Sequence, residues 1–119
     1  MIFGIGTDIT DLKKIKHWLN EERFLKRILS DDEIHLIESM TSEDRKLTFL
    51  GGRFAAKEAI FKAISHADGK TNFRDIVIMN DEHGKPYVNT HPFSQNFKFQ
   101  VSISHTDDYA VAFVICERE

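Results

Sequence analysis

The sequence predicts an α+β fold in which one long helix packs on a mostly antiparallel β-sheet. Three observations support this prediction. An apolar run at the N-terminus is typical of a buried strand, and the stretch that follows it carries helix-capping sequences and helical periodicity. The second half contains alternating apolar and polar residues separated by turn signals. The order is therefore a strand, several helices and a β-meander, which is typical of the α+β class.

The first predicted strand covers Ile2 to Ile9 and contains Gly4 and Gly6. Glycine inside a strand often marks the close approach of another backbone or of a ligand. A basic helical stretch is predicted next, from about Asp11 to Leu29, with a break near Asn20.

Two capping sequences predict the following helices. Ser30 to Glu33 reads Ser-Asp-Asp-Glu, which matches a capping box and predicts a short helix that ends near Ser39. Thr41 to Asp44 is a weaker version of the same signal. It predicts the start of the long helix, which we expect to run to about Ser65.

The remaining chain is predicted to be β-structure. Strands are expected at Phe73 to Asn80, Pro86 to Asn89, Phe97 to His105 and Tyr109 to Cys116. Residues 81–84 predict the turn of a hairpin, and residues 106–108 predict a second tight turn. The last of these strands is apolar on both faces, which is typical of a central strand.

Length and composition limit the functions that the chain can have. With 119 residues, of which 41% are hydrophobic and 29% charged, it is expected to form one soluble domain over residues 1–119. The net charge of −3 argues against a general nucleic-acid binder. No apolar run is long enough for a membrane span and no secretory signal is recognisable, so a cytoplasmic protein without membrane contact is expected.

The long helix places cations where apolar residues are expected. At about 100° per residue, Arg53 and Lys57 fall within an apolar arc. The apolar members of that arc are Leu50, Phe54, Ile60, Phe61 and Ile64. Cations among apolar side chains require an anionic partner, because an unpaired buried charge is costly. The alternative is that both side chains extend to water, with Glu58 and Lys62 as an ordinary i,i+4 pair.

The opposite face of this helix is small. It carries Thr48, Gly52, Ala55, Ala59 and Ala63. Such a face allows another backbone to approach closely, either from the protein's own sheet or from another subunit.

Several polar residues, each a weak signal alone, together fit a metal-assisted phosphoryl-transfer site. Asp8 ends a Gly-x-Gly-x-Asp run, and Glu58 lies on the long helix. Two carboxylates, completed by water and phosphate oxygens, are a typical Mg²⁺ arrangement. His105 ends an alternating strand, and Lys85 lies at a hairpin tip. The structural alternatives are a helix N-cap for Asp8, a core-edge histidine and a solvated turn lysine.

Four segments resemble the signatures of the holo-acyl-carrier-protein synthase family of 4′-phosphopantetheinyl transferases. They are GIGTDI at Gly4 to Ile9, FLGGRFAAKEAIFKA at Phe49 to Ala63, GKP at Gly84 to Pro86 and SISHTDDYAVA at Ser102 to Ala112. The resemblance implies the fold of that family. It also implies transfer of phosphopantetheine from coenzyme A to a serine of apo acyl carrier protein, with release of adenosine 3′,5′-bisphosphate.

The resemblance further implies roles for individual residues. Asp8 and Glu58 match Mg²⁺ ligands, and Glu58, Lys62 and His105 match catalytic positions. Contacts with coenzyme A are implied for Arg53, Lys57, Lys62, Gly84, Lys85, Pro86 and His105. The proton of the carrier serine is expected to pass to Glu58 or to a metal-associated water. The family is trimeric with active sites between subunits, so a homotrimer is expected.

The basic first helices are implied to hold the acidic carrier protein. The residues concerned are Lys13, Lys14, Arg23 and Arg27. The family commonly has Arg at the position of Lys14, so a bidentate contact would become a point-charge contact. The stretch from His17 to Glu22 diverges from the family, and no carrier contact is inferred for it.

Three alternatives remain open on the sequence. A non-catalytic module would bind a nucleotide or an acidic protein through the basic helices, without Mg²⁺. A ligase subunit or structural trimer would use the small helix face only as an interface and would not bind coenzyme A. A broad-specificity phosphopantetheinyl transferase would be expected to be longer and to contain a duplicated domain.

Overall fold

The computed structural model describes residues 1–65 and 71–119. In this part of the chain the strands are β1 (Ile2–Asp11), β2 (Val77–Asn80), β3 (Pro86–Thr90), β4 (Phe97–His105) and β5 (Tyr109–Arg118). The helices are α1 (Leu12–Ile15), α2 (Glu22–Ile28), α3 (Asp31–Glu38) and α4 (Glu43–Ile64), with 3₁₀ turns at Lys16–Asn20 and Phe73–Asp75. This architecture confirms the α+β prediction. No helix of the described part is long and apolar enough to cross a membrane.

The strands form two antiparallel sheets. One contains β1, β5 and β4 with β5 in the centre, and the other is the β2–β3 hairpin. The central position of β5 confirms the sequence prediction, but within the described residues only one of its faces is covered. Ala112 and Val114 are buried against α4, whereas Val111 and Phe113 point outward and are exposed.

The small face of α4 packs on β1. A Cβ atom at Gly6 would lie 1.9 Å from the carbonyl oxygen of Ala59, and one at Gly4 would lie 1.9 Å from that of Ala63. Both positions therefore require glycine, because any side chain would collide with the helix backbone. The close approach predicted from the glycines is thus made by the chain's own helix.

Capping residues fix the boundaries of the helices. Ser30 and Glu33 form the predicted capping box at the start of α3. Ser42, rather than Thr41, caps α4, and its hydroxyl accepts a hydrogen bond from the amide of Arg45. The predicted break in the basic stretch lies at Glu21, whose extended backbone separates the 3₁₀ turn from α2.

One predicted strand starts too early. Phe73–Asp75 forms a 3₁₀ turn, and β2 begins only at Val77. The reason is local, because Asn72 and Asp75 form a reciprocal capping box that fixes a turn at this point. Side-chain hydrogen bonds to the backbone here outcompete the extended conformation that the apolar pattern favours.

Candidate active site

The polar residues singled out in the sequence lie on both flanks of α4. At about 100° per residue, Glu58 and Lys62 leave one flank of the helix, while Arg45 and Arg53 leave the other. The small residues that face the sheet separate the two flanks.

On the first flank, β1 and α4 bring three charged residues together, which we call the β1–α4 cluster: Asp8, Glu58 and Lys62. The Lys62 ammonium lies 3.2 Å from Asp8 Oδ1 and donates to the carbonyl of Thr7 at 3.0 Å. The hydroxyl of Thr10 donates to Asp8 Oδ2 at 3.3 Å. Both oxygens of the Asp8 carboxylate are therefore oriented by neighbours.

Two structural alternatives are wrong for this cluster. Asp8 is not a helix N-cap, because the side chain of Asp11 caps α1 by accepting from the amide of Lys13. Within the described residues, the ion pair of Lys62 is made with Asp8 on β1 and not with Glu58 one turn away. The cluster therefore joins two elements.

The surroundings of Glu58 shift the pKa of its carboxyl group. Partial burial raises the pKa of the Glu58 carboxyl above its ordinary value, and the nearby Asp8 carboxylate raises it further. Lys62 opposes both effects. The fold thus holds two carboxylates close enough to repel each other, with one half-exposed ammonium as partial compensation.

The β1–α4 cluster fits a magnesium ion. No group of three or more His, Cys, Asp or Glu residues in the described part of the chain forms a metal site. Mg²⁺ is ordinarily held by one or two protein carboxylates, with waters and substrate phosphates completing its shell. Asp8 and Glu58 supply that number of hard oxygen ligands, and a cation would relieve their repulsion.

The second group lies beneath the other flank, and we call it the buried cluster: Glu33, Arg53 and Lys57. Lys57 is 0% exposed, and its ammonium lies 2.5 Å from Glu33 Oε1. It also donates to the carbonyl of Ile28 at 2.7 Å. The buried anion that the cations of α4 require is therefore Glu33 of the same chain.

This geometry corrects the implied role of Lys57. Its ammonium is enclosed by Glu33 and a backbone carbonyl, so a contact with a coenzyme A phosphate does not fit this position. Burial lowers the pKa of Lys57 to about 8, although Glu33 opposes the shift. The sequence drew attention to the two cations but not to Glu33, because its place in a capping box already accounted for its carboxylate.

Arg53 connects the buried cluster to the surface. Its Nε donates to the carbonyl of Ile78 at 3.1 Å and lies 3.8 Å from Glu33 Oε2. Its Nη2 donates to the Asn80 side-chain oxygen at 3.1 Å, and the guanidinium lies 4.5 Å from the centre of the Phe49 ring. Burial lowers the pKa of Arg53 to about 10.

Arg53 lines a cavity of about 240 Å³ between α4, the β2–β3 turn and the end of β4. Its polar and turn residues are Arg45, Thr48, Arg53, Asn80, Gly84, Pro86 and His105. His105 is exposed here, so it is not a buried core-edge histidine. Gly84 has φ of 82°, a left-handed conformation that favours glycine. Sequence reasoning missed Arg45 and Asn80, since nothing in their spacing links them to the other residues.

Lys85 lies next to this cavity without lining it. Its side chain is exposed at the hairpin tip, and its amide donates to the side chain of Asp81 at 2.9 Å. It borders a neighbouring cavity of about 350 Å³ on the outer side of β4 and β5.

One chain does not bring the two flanks together. The cavity lined by His105 and Arg53 contains no residue of the β1–α4 cluster. Asp8 and His105 lie on the two outer strands, on either side of β5, so their backbones are at least about 10 Å apart. The body of α4 also lies between the two groups. Each chain therefore presents two separate sets of candidate site residues.

The basic residues of α1 and α2 form a third surface. Lys13, Lys14, Arg23 and Arg27 are all exposed. The Arg27 guanidinium lies 5.5 Å from the centre of the Phe24 ring, and Lys26 is paired with Glu22. Four cations thus remain available to an acidic partner.

Comparison with known proteins gives a consistent result. Residues 4–114 match the profile of the 4′-phosphopantetheinyl transferase superfamily. The holo-[acyl-carrier-protein] synthase of Geobacillus sp. is 48% identical over 120 residues, which cover 99% of this chain and 98% of the relative. That of Acholeplasma laidlawii is 42% identical over 117 residues, which cover 98% of each.

Solved structures of holo-acyl-carrier-protein synthases have the same fold as this chain. A holo-(acyl-carrier-protein) synthase from Bacillus anthracis, in complex with CoA (3′,5′-ADP), has a TM-score of 0.89 and 38% identity, covering 100% of this chain and 99% of its own. The Helicobacter pylori enzyme in complex with coenzyme A has a TM-score of 0.77 and 29% identity, covering 95% of this chain and 99% of its own.

Proposed function

This chain belongs to the holo-acyl-carrier-protein synthase family of 4′-phosphopantetheinyl transferases and is an enzyme of that family, and we propose that it modifies apo acyl carrier protein with Mg²⁺ as cofactor. The substrates are coenzyme A and the carrier, and the products are the phosphopantetheinylated carrier and adenosine 3′,5′-bisphosphate. The catalytic domain spans residues 1–119. A cytoplasmic location remains a prediction.

The observation that carries this proposal is the β1–α4 cluster. A strand and a helix distant in sequence bring Asp8, Glu58 and Lys62 together at a half-exposed position. Packing alone does not require two carboxylates that repel each other. Phosphoryl transfer uses such an arrangement, with carboxylates for a metal and a cation for the transferring group.

Each residue of the cluster has a distinct task. Asp8 and Glu58 would hold Mg²⁺, which would neutralise the charge of the pyrophosphate and polarise the phosphorus under attack. The carrier serine oxygen forms a bond to the β-phosphorus as the bond to the leaving bisphosphate breaks, and Glu58 accepts the serine proton. Lys62 leaves its ion pair with Asp8 and stabilises the negative charge that develops on the phosphate.

The cavity on the other flank of α4 binds the nucleotide end of coenzyme A. Arg53 and His105 line it and supply positive charge or hydrogen-bond donors for phosphate groups. Gly84, Lys85 and Pro86 form the adjoining edge at the hairpin tip. We add Arg45 and Asn80 to this set, because both line the same cavity.

We propose a homotrimer in which two half-sites meet between subunits. One half-site is the β1–α4 cluster, and the other is the cavity lined by Arg53 and His105. The outer face of the β1–β5–β4 sheet supports this arrangement, because Ile5 and Ile9 are 60% and 66% exposed and Val111 and Phe113 lie beside them. An apolar patch of this kind is typical of a protein interface. Assembly through this face would give the Asp8 side of one chain access to the His105 side of another.

Intact-mass spectrometry of apo acyl carrier protein tests the reaction. The carrier is incubated with this protein, coenzyme A and Mg²⁺, with EDTA as the control. We expect a gain of one phosphopantetheine group that EDTA abolishes. No gain on a competent carrier, with the protein folded, would favour the alternative of a non-catalytic binding module.

A mixing experiment tests the shared site. Asp8→Asn and His105→Ala, each inactive alone, are co-refolded in equal amounts. If sites form between copies, roughly a quarter of the sites in a random mixture contain both intact halves, and activity returns. Failure to recover activity in mixed oligomers would place both halves in one chain.

A further inference from the structure

We propose that Glu33 is a positioning residue for nucleotide binding, acting through Arg53. This inference rests on the proposed function and extends it to a residue of α3 outside both half-sites. Glu33 touches neither the cavity nor the β1–α4 cluster. Its effect would be transmitted through the backbone of Ile78 and the buried side chain of Arg53.

The Glu33 carboxylate is almost fully used as an acceptor. Oε1 accepts from the amide of Ser30 at 2.8 Å and from the Lys57 ammonium, while Oε2 accepts from the amide of Ile78 at 3.0 Å. The residue is 0% exposed. A charge that is so enclosed keeps one geometry, because any displacement breaks backbone hydrogen bonds in two elements.

Arg53 is held on the same piece of backbone. The amide of Ile78 donates to Glu33, and the carbonyl of Ile78 accepts from Arg53 Nε at 3.1 Å. Glu33 Oε2 is also the anion nearest to the Arg53 guanidinium, at 3.8 Å. The other end of that guanidinium contacts Asn80 at the cavity. The Glu33 carboxylate therefore compensates the charge of Arg53 and also holds the β2 backbone that orients the Arg53 side chain.

A simple stability role predicts a different outcome from a positioning role. If Glu33 only stabilises the fold, nucleotide affinity of the folded protein is unaffected when Glu33 is neutralised. If it positions Arg53, affinity for a phosphorylated nucleotide falls even in protein that is fully folded. The two roles are separable when Lys57 is replaced as well, because neutralising Glu33 then leaves one unpaired cation in the buried cluster instead of two.

The test compares Lys57→Met with Glu33→Gln/Lys57→Met. These variants differ only at residue 33, and in both of them Arg53 is the remaining cation of the buried cluster. Any cost of losing Lys57 is therefore common to the pair. Affinity for adenosine 3′,5′-bisphosphate is measured by titration calorimetry on protein shown to be folded by circular dichroism. We expect at least tenfold weaker binding when Glu33 is neutralised, together with a matching rise in KM for coenzyme A and a kcat within threefold.

A conservative variant keeps the test decisive. Glu33→Asp/Lys57→Met retains the carboxylate, and we expect it to recover part of the affinity although the shorter side chain weakens packing. If the Gln variant does not fold, Glu33→Asp alone is compared with the unmodified protein, and a KM increase of two- to fivefold is expected.

Equal or tighter binding by the Gln variant would overturn the inference, as would affinity that follows stability across the three variants. The proposed function has its own control. If the unmodified protein transfers no phosphopantetheine, the function fails. If it does transfer and the variants bind the bisphosphate equally, only the role of Glu33 fails.

Discussion

Lys57 and Glu58 are neighbours on α4, but their side chains enter different surroundings. Lys57 points into the buried cluster, where Glu33 and a backbone carbonyl occupy its ammonium. Glu58 points to the half-exposed β1–α4 cluster, where Asp8 repels it and Lys62 only partly compensates. The first cluster satisfies its charges within the chain, whereas the second is left with an excess of negative charge that a ligand can balance.

The comparison shows why charge pattern alone did not separate the two roles. Both clusters contain carboxylates and cations, and both draw residues from the same turns of α4. What distinguishes them is whether an internal partner completes the set. A charged residue in an apolar arc is therefore a weak sign of a binding site until its partners in the folded chain are known.

The largest expected effect comes from neutralising the centre of the buried cluster. Glu33→Gln leaves Lys57 and Arg53 buried without an anion, and we expect the free energy of unfolding to fall by about 3–5 kcal/mol. Urea denaturation followed by circular dichroism measures it. Glu22→Gln, which removes the exposed partner of Lys26, is the matched control and should leave the midpoint unchanged. A stable Glu33→Gln protein would mean that the cluster does not depend on this charge.

A change in the β1–α4 cluster should reduce activity rather than stability. Lys62→Ala removes a half-exposed ion pair, which contributes at most about 1 kcal/mol to folding. We expect the transfer rate to fall by roughly 10- to 100-fold, because a cation at the transferring phosphoryl is lost. If the variant unfolds while activity per folded molecule stays intact, Lys62 is structural.

The pH dependence of stability should also separate the clusters. The pKa of Lys57 is about 8 in the folded chain and 10.5 ordinarily, so the unfolded chain binds more protons between these values. Stability should therefore rise with pH in this window, by about 1–2 kcal/mol relative to Lys57→Met. The pKa of Glu58 is raised, so its contribution has the opposite sign and is lost as pH rises through its folded value. Urea midpoints at several pH values measure both trends. Identical pH profiles for the unmodified protein and Lys57→Met would contradict the trend assigned to Lys57.

The smallest effect is expected at the basic surface of α1 and α2. Reversing Arg23 and Arg27 to Glu should raise KM for the carrier several-fold at low salt, and the difference should shrink as salt is added. The kcat value should change little, because neither residue belongs to the β1–α4 cluster. A salt-independent effect, or none, would remove these residues from the carrier surface.

Much of the fold could be predicted because its signals are local. The capping box of Ser30 and Glu33 and the alternation of β4 each determine structure within a few residues. The start of β2 was missed for a local reason as well, since the Asn72–Asp75 capping box competes with strand formation. These elements depend on neighbours in sequence.

The site could be predicted only in part, because it depends on contacts between distant residues. The family signature pointed to Asp8, Glu58 and Lys62, and the fold brings these three together. It could not reveal that Glu33 and Lys57, which are 24 positions apart in sequence, lie within hydrogen-bond distance in the folded chain. Nor could spacing show that α4 separates Asp8 from His105, so that the chain presents two separate groups of candidate site residues.

The most direct test of this account is one measurement on two adjacent positions of α4. Phosphopantetheine transfer per folded molecule is measured for Glu58→Gln and for Lys57→Met at saturating coenzyme A and carrier, by intact mass. We expect Glu58→Gln to keep or raise the urea midpoint of the unmodified protein, because the repulsion between Glu58 and Asp8 is removed, and to lose about 100-fold or more in rate. We expect Lys57→Met to shift the midpoint and to keep kcat within threefold. The reverse pattern, an active Glu58→Gln and a folded but inactive Lys57→Met, would contradict the division between a ligand-binding cluster and a structural one.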